Sequence, residues 1–166
     1  AGLVTDTGRF QHLNTTPSAF MLAARLAEAG ADVHGVAKEI YESQSLQYAR
    51  LLGTALKRAQ LRADLRLVYS FITQEDLAET GATLSEAEDL IDYLRRVKGA
   101  GVVALFKELS DGTVRVSLRS ADGAAVGPIA RAMGGGGHAL AAGYTSQKDL
   151  KGAMDELMVA LRYRHD

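Results

Sequence analysis

Four consecutive glycines, Gly134, Gly135, Gly136 and Gly137, followed at once by His138, constrain this chain more than any other stretch. Glycine loses more backbone freedom on folding than any other residue. A run of four therefore persists in an ordered protein where φ must be positive or where something lies against bare main chain. Amides freed of side chains form a concave nest suited to phosphate oxygens. An imidazole beside them can donate to the same anion or shuttle a proton. Ala139, Ala141, Ala142 and Gly143 permit close packing behind the loop. A flexible linker is the plainer alternative, but such linkers carry serine and polar residues rather than a histidine and an alanine-rich run. A P-loop is excluded, because no Lys-Ser/Thr follows the glycines.

Any anion site must be local, since the formal charge of −1 gives no global field to attract nucleic acid. The 166 residues are 47% apolar and 23% charged, enough for one domain, or for one small domain plus a piece of another. The absence of cysteine excludes disulfides and thiolate metal sites and fits a reducing compartment. No apolar run reaches the roughly 18 residues of a membrane span. These features predict a soluble, cytoplasmic protein with no membrane partner.

The chain opens Ala1-Gly2-Leu3-Val4-Thr5-Asp6 without an initiator methionine, and Leu3-Val4 read as the tail of a buried strand ending at Asp6. That predicts a larger protein continuing upstream. Asp6 then sits where α/β proteins often place active groups, although a turn Asp capping its neighbours is an equal alternative. An aspartic-protease site is rejected, because it needs two carboxylates sharing a proton. Thr16-Pro17 opens a helix that Gly30 closes, with Ala19, Leu22, Ala23 and Leu26 as its apolar stripe. A second helix follows Asp32 and a third runs from Ser45 to Ala59. Those three helices have little to pack on, which leaves pairing between copies open.

The pattern changes near Arg62, dividing the chain into residues 1–62 and 63–166. Leu65, Leu67 and Tyr69 alternate as a strand. Thr73 with Asp76, and Ser85 with Glu88, resemble capping boxes opening helices. Gly101 to Leu109 is a mostly apolar strand, turned back by Ser110-Asp111-Gly112. On the return strand Val114, Val116 and Leu118 face one way, Arg115, Ser117 and Arg119 the other. A short helix near Pro128–Met133, a brief strand at Ala142–Thr145 and a last helix capped by Ser146 with Asp149 complete an α/β domain with a small mixed sheet. If the return strand and the glycine loop converge, Arg119, His138 and the Gly136 and Gly137 amides would surround one oxyanion, the guanidinium binding it in two places. The histidines (His12, His34, His138, His165) show no zinc-site spacing. His12 is read as a loop residue near Asp6, and His34 and His165 as structural or inert.

Thr5-Asp6-Thr7-Gly8-Arg9-Phe10 with Asn14-Thr15 resembles the fourth metal motif of the DHH phosphoesterases. Val116-Ser117-Leu118-Arg119-Ser120 and the glycine-histidine stretch through Gly143 resemble the signature of the DHH-associated domain. The likeness is to the bifunctional oligoribonuclease/pAp-phosphatase (nanoRNase) branch, with RecJ exonucleases more distant. It implies a remnant of an α/β catalytic domain joined by a helical linker to an α/β substrate-binding domain. It further implies that Asp6 is a manganese ligand, that Asp6 and His138 are catalytic, and that Ser117, Arg119, Gly134 to Gly137 and His138 grip the phosphate or terminal nucleotide of a short RNA. The family's Asp-x-Asp, further acidic and Asp-His-His motifs do not occur here, and two-metal hydrolysis needs several such ligands. The parent is expected to release 5′-mononucleotides from short oligonucleotides and to dephosphorylate pAp, while this piece alone binds without turning over. The alternatives are a non-catalytic nucleotide- or RNA-binding module, a RecJ-like single-strand exonuclease, and a cyclic-dinucleotide phosphodiesterase relative.

Overall fold

A computed structural model describes residues 1–11 and 14–163. The chain separates into two compact units, one from Ala1 to Ser45 and one from Leu46 onward. His12, read as a loop residue near Asp6, and His165, read as structural or inert, lie outside the described residues.

The first unit is helical: α1 (Gly2–Asp6), α2 (Pro17–Glu28) and α3 (Val33–Tyr41). The strand expected at Leu3–Thr5 is therefore a helix. The Ala1 carbonyl accepts from the amides of Val4 (2.9 Å) and Thr5 (3.2 Å), closing a turn. The Thr7 hydroxyl donates back to Leu3 O at 2.7 Å. Local bonding defeats the β preference of Val4 and Thr5, which pair with no strand among the described residues. The next two helices start where expected: the Thr16 hydroxyl accepts from the Ala19 amide and the Asp32 carboxylate from the Gly35 amide. Phe20, Met21, Leu22 and Leu26 on α2 stay exposed.

The second unit begins with α4 (Leu46–Lys57), the third of the expected helices, which packs with the sheet. Its Leu51 and Ala55 are buried among sheet and helix residues. Six strands follow: β1 (Gln60–Arg62), β2 (Leu67–Ile72), β3 (Val102–Glu108), β4 (Val114–Ser120), β5 (Gly136–Gly137) and β6 (Ala141–Ser146). They form one mixed sheet in the order β1-β2-β3-β4-β6-β5, parallel between β2 and β3 and antiparallel elsewhere. The parallel pair is joined by α5 (Gln74–Thr80) and α6 (Leu90–Leu94), as a crossover requires. After β4 come α7 (Gly127–Ala132) and, closing the chain, α8 (Leu150–Arg162).

The two faces of the sheet are dressed differently. Leu67, Tyr69, Ala104, Phe106, Val116 and Leu118 point to one side, where Leu157 and Leu161 of α8 and Ile129 of α7 cover them across the sheet. Val68, Ile72, Val103 and Leu105 point to the other, under α4 and α6. On this side α6 reaches past β3 as far as β4.

Local signals were sound in several places. Thr73 and Asp76 form a reciprocal capping box for α5, and Gly81 ends it at φ +70°. Leu109, Asp111 and Thr113 close the turn before β4, with Gly112 at φ +83°. One capping box is corrected. Thr83, not Ser85, exchanges bonds with an acid three residues on: its amide donates to Glu86 Oε2 at 2.8 Å and its hydroxyl accepts from the Glu86 amide. Glu88 is thereby released and reaches across to β3. At the last helix Asp149 is itself the cap, accepting from the Gly152 amide, while the Ser146 hydroxyl donates to Glu156.

Candidate functional site

Beyond α6, the same face of β4, β6 and β5 carries half-buried and exposed residues, and the registers arrange them in rows. Arg119 pairs with Ala141, and the His138 amide donates to the Ala141 carbonyl at 2.8 Å. The His138 backbone thus stands level with Arg119, two strand spacings or about 10 Å away. In the adjacent row Ser117 pairs with Gly143 and Gly143 with Gly136. One row further, Lys107 pairs with Arg115 and Arg115 with Thr145. The predicted convergence of Arg119, Ser117, His138 and the glycine run on one sheet region is what the strand order produces.

The run itself is built differently from the expected cup of amides. The Gly134 and Gly135 amides donate to Arg131 O (3.0 Å) and Ala130 O (2.8 Å), ending α7 with Gly134 at φ +77°. Gly136 and Gly137 are the edge strand β5, laddered to β6. Most of this backbone is thus engaged inside the protein, because an edge strand two residues long has no other means of attachment. Steric need explains three of the four glycines. Gly134 takes a positive φ, a Cβ at Gly135 would overlap the Gly143 carbonyl, and Gly137 combines φ +127° with a Cβ position 2.6 Å from Ala142 Cα. Gly136 is different. A Cβ there would meet nothing within 4 Å, and its φ is ordinary. Its bareness serves no packing purpose, and it borders Gly143 and Ser117 on the open face.

Beside these rows lies a groove of about 550 Å³ lined by Arg115, Ser117, Gly135, Gly143, Thr145 and Gln147 among others. Gly134 and Gly135 sit on its wall. Arg119 is half-buried and donates through one arm of its fork to the Leu118 carbonyl (3.1 Å).

The charge on this face was only partly foreseen. Lys107, within a strand read as mostly apolar, is fully buried, its Nζ 2.7 Å from Glu88 Oε2 but without a well-aligned hydrogen bond. Burial holds its ammonium below the usual lysine range. Glu88 opposes that shift, and the Arg115 and Arg119 guanidiniums add to it. Arg115 approaches the same carboxylate at 3.5 Å. The signal for Arg115 was its place two and four residues before Ser117 and Arg119 on one strand face. Nothing local pointed to Gln147.

Asp6 ends α1 in the other unit, and Asn14 Nδ2 donates to its carbonyl at 3.0 Å. Among the described residues no three His, Asp or Glu side chains gather to hold a metal ion, so they do not amount to a manganese centre. Among them, too, no helix is long and apolar enough to cross a membrane.

The chain is 32% identical over 162 residues to the bifunctional oligoribonuclease and PAP phosphatase NrnA of Thermus thermophilus, a match covering 97% of this chain and 48% of that protein. It is 33% identical over 143 residues to the NrnA of Bacillus subtilis, covering 86% and 44%. It thus spans about half the length of the curated relatives it matches. An exopolyphosphatase-related protein from Bacteroides fragilis shares the fold, with a TM-score of 0.91 at 21% identity over 97% of this chain and 47% of that one. Residues 64–163, which hold the open face from β3 to β6, match the DHHA1 domain, and the chain belongs to that family.

Proposed function

We propose that this chain is the substrate-holding part of a manganese-dependent DHH-type phosphoesterase that cuts short oligoribonucleotides to 5′-mononucleotides and removes a phosphate from pAp. The observation that carries the proposal is the bare backbone at Gly136, which has no packing reason and ends the Ser117–Gly143 row, next to the row of Arg119. Arg119 supplies a fork that grips two phosphate oxygens, and its neighbour Lys107 raises the local positive potential. Ser117 offers a hydroxyl to the same group. His138, exposed and level with Arg119, donates a proton or a hydrogen bond from the far side. Gly136 and Gly143 let a sugar or base lie against the sheet. The NrnA relatives support the substrate class.

Manganese, held in the whole protein, would supply a polarised phosphoryl group and an activated water. Asp6 is proposed as one of its ligands, the others coming from outside this chain. On this proposal the 166 residues bind nucleotide without turning it over.

Calorimetric titration of the chain with pAp and with a 5′-phosphorylated dinucleotide tests this. Binding should weaken about tenfold in Arg119→Gln and several-fold in His138→Ala, the loss of one charge-assisted contact in each. Binding that ignores both substitutions would remove Arg119 and His138 from the site. If a longer protein containing this chain fails to hydrolyse either ligand with manganese, the enzymatic part of the proposal is wrong.

A further inference from the structure

The groove beside Arg115 adjoins the proposed site through Ser117 and Gly143, but neither Arg119 nor His138 lines it. Arg115 and Arg119 are four residues apart on one strand face, about 13 Å along β4, too far for one phosphate to touch both backbone positions. Arg115 is half-exposed and forms part of the groove wall, with the Thr145 hydroxyl and Gln147 amide on the same wall. Glu88, the nearest acid, does not silence it. The Glu88 carboxylate sits 2.7 Å from the buried Lys107 ammonium and only 3.5 Å from Arg115, so its charge is largely taken by Lys107. A guanidinium carries five donors, and one distant carboxylate oxygen leaves most of them for a ligand. Glu88 thus serves two cations, Lys107 and Arg115.

We propose that the groove lined by Arg115, Thr145 and Gln147 is a second anion subsite, which takes a further phosphate of an oligonucleotide whose end is held at Arg119. It rests on the proposed function and adds length selectivity to it. A ligand with one phosphate fills only the Arg119 row, whereas a trinucleotide reaches the groove. The sheet face thereby favours oligonucleotides over the mononucleotides released from them.

The test compares AMP with a 5′-phosphorylated adenosine trinucleotide, titrated into the 166-residue chain and into Arg115→Gln, a half-exposed position whose substitution leaves the core intact. In Arg115→Gln the trinucleotide should bind about tenfold more weakly and its log-affinity slope against log salt should drop by about 0.7, the loss of one phosphate contact. AMP should stay within about twofold. Equal effects on both ligands, or no effect on either, overturn the second subsite. Arg119→Gln separates the two proposals. If it weakens both ligands while Arg115→Gln weakens neither, the primary site stands and the groove falls. If it weakens neither while Arg115→Gln weakens the trinucleotide, the groove stands and the primary site falls. A wild-type chain that binds neither ligand sinks both.

Discussion

One face of one sheet is treated in two ways. Over β2 and β3 it carries Val68, Ile72, Val103 and Leu105, sealed under α4 and α6. Over β4, β6 and β5 it carries Arg115, Ser117, Arg119, Gly143 and Gly136, half-buried or exposed, with α6 reaching only as far as β4. Both halves obey the same period-two alternation, and both back onto the same core beneath α7 and α8. The change of side chains at the border therefore cannot be a demand of the strand. It marks where the fold leaves backbone and charge accessible, and Lys107 stands on that border. A sheet face shows what it is for where its residues stop matching their partners on the neighbouring strands.

The largest expected effect lies in the sealed half. Leu105→Ala opens a cavity at a fully buried position and should cost about 2–5 kcal/mol in urea unfolding, while Arg119→Gln stays within about 0.5 kcal/mol. If the two variants lose similar stability, the halves are not distinct. Asp76 gives the next effect. Its carboxylate is gripped by the Arg58 fork between α4 and α5, and receives the Thr73 amide and hydroxyl. Burial alone would raise its carboxyl, but these donors outweigh it and hold it below the usual range. A folded pKa below the unfolded one adds stability above the unfolded value, and that stability is lost as pH falls through the folded value. Asp76→Asn should therefore cost about 2 kcal/mol at neutral pH, with the gap to wild type closing below the ordinary Asp range. A gap that is constant with pH would mean the carboxylate charge is not what stabilises the α4–α5 contact.

These contrasts also explain what could be read in advance. The Thr73-Asp76 box, the Asp111-Gly112 turn and the alternation of β4 were legible because each is set by residues a few positions apart. Arg119, Ser117 and His138 could be nominated for the same reason. Glu88 could not be assigned, because Thr83-Leu84-Ser85-Glu86-Ala87-Glu88 contains two overlapping capping signatures and the choice turns on Lys107, nineteen residues further on. The strand β5 was invisible, since two glycines carry no strand propensity and are ordered only by pairing with β6. At Leu3–Thr5, β-branched composition suggested a strand where no partner strand lies among the described residues of the unit and a helical turn closes on Ala1.

At the border itself the effect should be smaller. Glu88→Gln leaves the Lys107 ammonium buried without its carboxylate, yet Glu88 is half-exposed, so the cost should be about 1–2 kcal/mol. Lys107→Met in the same background should recover most of it, because an apolar chain of similar size removes the unpaired charge. A double variant as unstable as Glu88→Gln would mean the loss comes from the α6 approach and not from the ion pair.

The smallest expected change in stability is the most informative about the open half. Gly135 and Gly136 are adjacent, both in the glycine run, and differ in what surrounds them. A side chain at Gly135 runs into the Gly143 carbonyl and Tyr144, so Gly135→Ala must push β6 away or break the end of α7. At Gly136 the same methyl group enters empty space at an ordinary φ, and Gly136→Ala should change unfolding free energy by less than about 0.5 kcal/mol. If a nucleotide lies against that backbone, the methyl group still occupies the ligand's volume. Titration with pAp should then show clear weakening in Gly136→Ala at unchanged stability, whereas Gly135→Ala should lose both together. Full binding by Gly136→Ala would leave its bareness without a ligand to explain it and would move the contact surface away from β5, toward Arg119 and the groove.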